Sequence, residues 1–193
     1  YSVARLTRAP GDADDPFYRR NAGFGTGGAD VKYGVTSDLT LDMTINPDFG
    51  QVEADPSEVN LSAYETFFRE KRPFFVEGNN ITSFGLGIGD GDVGNDNLFY
   101  SRRIGRSPRH PASPGTSEYA YTPAFIPIIG AAKLTGKSGS GLSVGAIDAV
   151  TAEVNTKIYN EETGETTYVK AEPFANYAVA RVQLAFKGGL TIL

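Results

Sequence analysis

Three groups of side chains have the types and spacing to do chemistry. Asp90, Asp92 and Asp96, with Asn95 and Asn97 between and beside them, gather oxygen donors of the kind that hold Ca²⁺. No Glu closes the run and no helical pattern flanks it, so it departs from the EF-hand order. It reads as a solvated acidic loop, with calcium as the metal alternative. Glu53, Asp55 and Glu58 form a second group. A pair of carboxylates ~5–9 Å apart would suit acid and base roles at a glycosidic bond. The third group is basic: Arg69, Lys71, Arg72, Arg102, Arg103, Arg106, Arg109 and His110, interleaved with Glu53, Asp55, Glu58, Glu65, Glu70 and Glu77. Arginine forks suit carboxylates, so an anion or sugar-acid site is one use of this group. The charges nearly balance, which favours an ion-pair network, with Arg72 paired to Glu53 or Glu77 and with Arg102 and Arg103 as further members.

Other chemistries find little support. Cysteine is absent and His110 is the single histidine, so thiolate metal sites, disulfides and sites needing two imidazoles are excluded. Gly23-Phe24-Gly25-Thr26-Gly27-Gly28 satisfies G-x-G-x-x-G, but an alternating strand follows it where a dinucleotide site needs a helix. Gly136-Lys137-Ser138 resembles the end of a phosphate loop, yet position 131 is Ala and Gly130 misses the required place by one residue. No nucleophile signature accompanies His110. No catalytic or cofactor-binding residue is nominated and no cofactor is expected. The net charge of −5 argues against a general nucleic-acid binder.

The elements that must position these groups are strands. The chain of 193 residues is 40% hydrophobic, enough for one domain with a core. Glycine (23) and proline (11) punctuate it often, and all the aromatic residues are Tyr and Phe. Val31, Tyr33 and Val35 alternate with polar residues, and so do Leu39, Leu41, Met43 and Ile45, against Thr40, Asp42, Thr44 and Asn46. Two such runs around Thr36-Ser37-Asp38 predict a β-hairpin. One apolar and one polar face suit a half-buried sheet or a barrel wall. From Pro127 the same grammar returns, with strands from Ile128, from Leu142 toward Tyr159, from Thr166 and from Ala178 to Phe186, and a further start at Leu190.

Between them, Asp55-Pro56-Ser57-Glu58 is a helix-start signature and predicts a short helix from Pro56 to Phe68. Phe74-Phe75-Val76 and Leu98-Phe99-Tyr100-Ser101 read as short strands. The expected class is all-β, mainly antiparallel hairpins in an incomplete barrel or open sheet, with one short helix and long loops. The expected organisation is an extended polar arm over 1–28 and a single β domain over 29–193, with a loop and helix insert at about 47–125. Gln51 to Gly78 should pack as a compact element on the polar side of the first hairpin.

The runs Asp30–Asp42, Asn46–Pro56, Glu70–Gly78, Phe99–Arg106 and Gly130–Lys137 resemble an uncharacterised bacterial family. Its members are large outer-membrane proteins that join a sandwich similar to a family-9 carbohydrate-binding module to a long C-terminal β-rich region. The resemblance covers roughly residues 25–190, in the C-terminal region. It implies an all-β fold, an outer-membrane setting in the bacterial cell envelope, and no reaction. The carbohydrate-binding module would lie upstream, so sugar binding does not carry over.

The expected function is therefore non-catalytic: a structural part of an outer-membrane β-barrel, with the 47–125 insert as plug or loop. Five or six strands fall short of the ~8 of a single-chain barrel, so the partner would be the rest of a longer barrel or other protein chains. A second expectation is an accessory subunit docked on a larger membrane complex through the 1–28 arm and the 107–127 stretch. A third is a glycan-directed hydrolase using Glu53, Asp55 or Glu58.

Overall fold

A computed structural model describes residues 2–8, 14–18, 21–47, 68–82, 99–185 and 191–192. In chain order the elements are β1 (Ser2–Arg8), β2 (Asn21–Gly27), β3 (Ala29–Gly34), β4 (Leu39–Ile45), α1 (Pro73–Val76), α2 (Asn79–Thr82), a 3₁₀ turn at Ser101–Arg103, β5 (Glu118–Tyr121), β6 (Ile128–Lys137), β7 (Leu142–Thr151), β8 (Val154–Asn160), β9 (Thr166–Glu172), β10 (Ala175–Ala185) and β11 (Thr191–Ile192). Strands dominate and helix is confined to single turns, so the chain is all-β with open sheets.

The main sheet has six strands in the order β11-β10-β7-β6-β4-β3, all antiparallel. Its register places apolar residues opposite one another across the whole width. Tyr33 faces Leu41, Leu41 faces Leu134, Leu134 faces Ala146 and Ala146 faces Ala180. The next rows run Val31, Met43, Ala132 and, on the other side, Val144 to Val182. Because side chains alternate along each strand, Lys32, Asp42, Thr44, Lys133, Thr135, Ile147 and Arg181 belong to the opposite face.

Local chemistry sets the turns. The β6–β7 turn closes with Ser138 N–H on the Leu142 carbonyl, and Gly141 sits at φ +91°, where a Cβ would meet the Ala185 carbonyl oxygen at 2.5 Å. Asn160 Oδ1 accepts the N–H groups of Glu162 and Thr163, and Gly164 (φ +70°) completes the β8–β9 turn. The strand that opens at Leu142 does not run unbroken toward Tyr159. It breaks at 152–153, and its return strand breaks at Pro173-Phe174, so β8 and β9 leave the main sheet together and join β5 in a three-stranded sheet. Pro173 has no N–H to give a ladder, which accounts for the break on that side.

Three expectations change. The 1–28 stretch is extended but paired: β1 and β2 form a two-stranded sheet, tied to the end of β4 by Asn46 Nδ2, which donates to the Gly27 carbonyl. Phe74-Phe75-Val76 is helical rather than a strand, because Pro73 occupies the first helical position and Glu77 N–H closes the turn on the Pro73 carbonyl. Ser101 opens a 3₁₀ turn rather than lying in a strand. The helix expected over 56–68 lies outside the described residues, apart from Phe68, which is not helical.

The core lies on the polar face of the main sheet. Phe75 of α1 and Ile104 pack on Ile128, Ala131, Ile147 and Ala149, with Phe74, Phe99, Tyr177 and Val179 around them. A second cluster joins Ile126, Val154 and Ala171 under the three-stranded sheet. Close approach at Gly145 lets α2 seat on β7. A Cβ there would lie 2.9 Å from Thr82 Cγ2 and 3.0 Å from Ile81 Cγ2. Gly145→Val should therefore displace α2 and cost about 1–3 kcal/mol. Gly139→Ala, in a turn with nothing within 4 Å, should be near neutral. Paired urea melts of the two variants would check this, and equal melting would show that α2 does not seat on Gly145.

Candidate functional site

The polar face of the main sheet holds a constellation of charged groups. Lys133, in the middle of β6, is 1% exposed. Its ammonium donates to the carbonyls of Phe74 (2.6 Å) and Glu77 (2.8 Å) and lies 3.4 Å from Asp42 Oδ2. Those three acceptors match its three N–H groups. It also sits 4.9 Å from the centre of the Phe74 ring. Asp42 reaches Lys32 of β3 at 3.5 Å, and Lys32 continues to the Glu77 carboxylate. Lys133, Asp42, Lys32 and Glu77 thus close a ring that joins β3, β4 and β6 to the end of α1.

The rest of the 72–82 segment is held in the same way. Arg181 Nη1 of β10 donates to the carbonyls of Asn80 and Ile81 at 3.3 and 3.2 Å. Gly78 (φ +69°) lies against Thr135, whose Cγ2 would be 3.1 Å from a Cβ at that position. No β-ladder joins the segment to the sheet. It is attached by cations of the sheet reaching its oxygen atoms and by close packing. Thr44, 2% exposed on the same face, has a hydroxyl with no hydrogen-bond partner.

A second cluster anchors the base of the segment. Arg72, 8% exposed, makes a two-pronged bond to Glu70, with Nε to Oε1 at 2.8 Å and Nη2 to Oε2 at 2.7 Å. It also donates to the carbonyls of Ile104 and Ser101 and stacks 4.3 Å from the Phe75 ring centre. Ser101 Oγ adds a bond to Glu70 at 2.6 Å. Burial pushes the Glu70 carboxyl up, but the bonds and charge of Arg72, with help from Ser101, outweigh it and hold it below the ordinary glutamate range. A third cluster fixes the loop before β5. Glu172, 3% exposed, accepts from Arg106, from Arg109 and from the Arg109 backbone N–H.

Several expected residues thus find their places. Arg72 is a buried ion-pair residue bonded to Glu70, whereas Glu77 pairs with Lys32 instead of Arg72. Arg102 donates to the Arg69 carbonyl and lies 6.0 Å from the Phe68 ring, and Arg103 lies 6.0 Å from the Tyr100 ring. Glu53, Asp55, Glu58, Asp90, Asp92 and Asp96 lie outside the described residues. Among the described residues no group of acidic or histidine side chains is arranged to hold a metal. Sequence reasoning missed Lys133 and Glu172, and it set Glu70 among the interleaved carboxylates without pairing it to Arg72. Lys133 carried a usable signal, since it is a charge at mid-strand with Asp42 on the polar side of the neighbouring run.

Among the described residues, the opposite face has no such chemistry. Tyr33, Ile45 and Val182 are 61%, 64% and 57% exposed, and Val31, Val35, Met43 and Leu142 are exposed beside them. Leu41, Ala132, Leu134, Ala146, Ala178 and Ala180 line an open, shallow depression of about 400 Å³ on this face. Its described polar interruption is Asp148, bonded to Asn176 on the adjacent strand.

Residues 17–192 match the family described as a domain of unknown function (DUF5916), and the chain belongs to that family. Neither a curated protein nor a solved structure matches it.

Two measurements check the buried clusters. Arg72→Ala leaves Glu70 buried without its partner and should cost about 3–5 kcal/mol, whereas Lys157→Ala, at an exposed position, should stay within about 0.5 kcal/mol. Equal, small effects would show that Arg72 contributes nothing by its burial. The Glu70 carboxyl is depressed in the folded state, so its contribution is present above the unfolded glutamate pKa of about 4.3 and fades as pH falls through the folded value. Urea midpoints of the wild type and Glu70→Gln, compared from neutral to acid pH, should converge at the acid end.

Proposed function

We propose that this chain forms part of the wall of an outer-membrane β-barrel, with the 72–82 segment as a plug on its inner side. One observation carries the reading: the burial of the main sheet is inverted. Its apolar face is open and its polar, charged face is covered. In water, each exposed valine or leucine forgoes roughly 1.5–3 kcal/mol of burial. In a bilayer the same residues meet acyl chains, and the polar side lines the lumen, which is the alternation a membrane barrel requires. Strand lengths support this. β6 and β7 have ten residues and β10 has eleven, and a tilted strand needs ~9–11 to cross the hydrocarbon layer.

Six strands do not close a barrel, and an open edge in lipid would leave backbone groups unpaired at several kcal/mol each. The partners are therefore further strands, from a longer barrel or from other chains. The resemblance to large envelope proteins with a carbohydrate-binding-like domain supports the outer membrane as the location. The second reading is an accessory subunit docked on a membrane complex. The Asp148–Asn176 pair favours it, because a protein partner can satisfy outward polar groups that acyl chains cannot.

Full-length expression followed by membrane fractionation tests the barrel reading. The native protein should require detergent for extraction, and recovery in the soluble fraction without detergent would overturn it. Substitution sharpens the test. Ala146→Arg lies in the centre of the apolar face and should cost about 2–4 kcal/mol of membrane folding. Gln183→Arg, on the polar face, should assemble as the wild type does. A soluble protein would show the opposite order, with the charge on the open apolar face tolerated.

A further inference from the structure

The inner wall has a charge opposite to that of the chain. Lys32, Lys133, Lys137 and Arg181 belong to the polar face of the main sheet, against Asp30 and Asp42, so its cations outnumber its carboxylates. The chain as a whole carries −5. What the 72–82 segment presents to these cations is almost entirely oxygen. Lys133 takes the carbonyls of Phe74 and Glu77, Lys32 takes the Glu77 carboxylate, and Arg181 takes the carbonyls of Asn80 and Ile81.

We infer that this wall is a binding strip for small oxyanions, phosphate or carboxylate solutes, and that the 72–82 segment occupies it as their internal stand-in. This rests on the barrel reading and names the solute class that the lumen would accept. The physical reason is desolvation. A lysine buried to 1% exposure needs a full set of acceptors, and when the segment moves away only Asp42 stays with Lys133. An incoming oxyanion restores the lost acceptors with charge-assisted bonds. A neutral solute has weaker acceptors to offer, and a cation meets an excess of like charge. The buried Thr44 hydroxyl, unpartnered on the same face, adds a donor for the same ligand.

The experiment is conductance of the full-length protein in planar bilayers under a KCl gradient, with inorganic phosphate as the oxyanion probe. The wild type should conduct weakly. Lys133→Met loosens the segment and should raise conductance severalfold, with a reversal potential of anion sign. Millimolar phosphate should reduce that current. If Lys133→Met does not assemble, Arg181→Gln, which frees only α2, is read in the same way. Lys32→Glu combined with Arg181→Glu should move the reversal potential toward cation selectivity. A cation-selective current, a current indifferent to phosphate and to these charge reversals, or no current from any inserted variant would overturn this inference while leaving the barrel reading standing. Failure of the wild type to enter membranes would overturn both.

Discussion

An ammonium group in the middle of a ten-residue strand, shut away from water, is the constraint on which the rest of the arrangement depends. Lys133 cannot be buried against the sheet alone, because the sheet offers it one carboxylate. The main chain at the end of α1 supplies the other acceptors. Burial of the charge and placement of the segment are therefore one event. Once the segment lies there, Phe75 covers Ile147 and Ala149, and Arg72 is drawn in beside Glu70 and Ser101. The hydrophobic cluster under the segment is small, and charged groups with complete hydrogen bonding fix its position.

Among the described residues, that arrangement leaves the broad apolar face without a cover. Alternation alone does not say which face of a sheet is turned inward. In a water-soluble sheet the apolar side is the natural one to close, and a helix or second sheet would lie over Leu41, Leu134 and Ala146. Here the covering elements went to the other side, where the charges are. On the proposed barrel reading, the solvent that meets this apolar face is less polar than the sheet's own covered side. That arrangement is the alternation that the proposed barrel wall requires.

Much of this was legible in the sequence, and the failures have physical causes. The first hairpin and the long strands after Pro127 follow directly from alternation, which forms the same ladder whichever solvent it faces. Polar positions such as Thr40, Asp42 and Thr44 gave away the charged face. Phe74-Phe75-Val76 misled because aromatic and branched residues favour strands in general, whereas here Pro73 and the demand of Lys133 for carbonyl oxygens impose a helical turn. Arg72 was readable as a buried cation, but its bond to Glu70 was not. Glu70 is two residues away, and the two-pronged bond depends on a local backbone bend that spacing does not reveal. β2 was hidden by its three glycines, which weaken any periodic pattern.

Lys133 also has a bearing on time. β4 and β6 are neighbours in the sheet but are separated in the chain by the whole 47–125 insert. Bringing them together costs loop entropy that local hairpins do not incur. The long β6–β7 and β7–β10 pairings can form early by comparison, since their turns are shorter. β6 can then join β4 only with the acceptors for its lysine already at hand. The seam between the two halves of the sheet thus ties a long-range strand pairing to the seating of the 72–82 segment, which carries the carbonyl acceptors for Lys133.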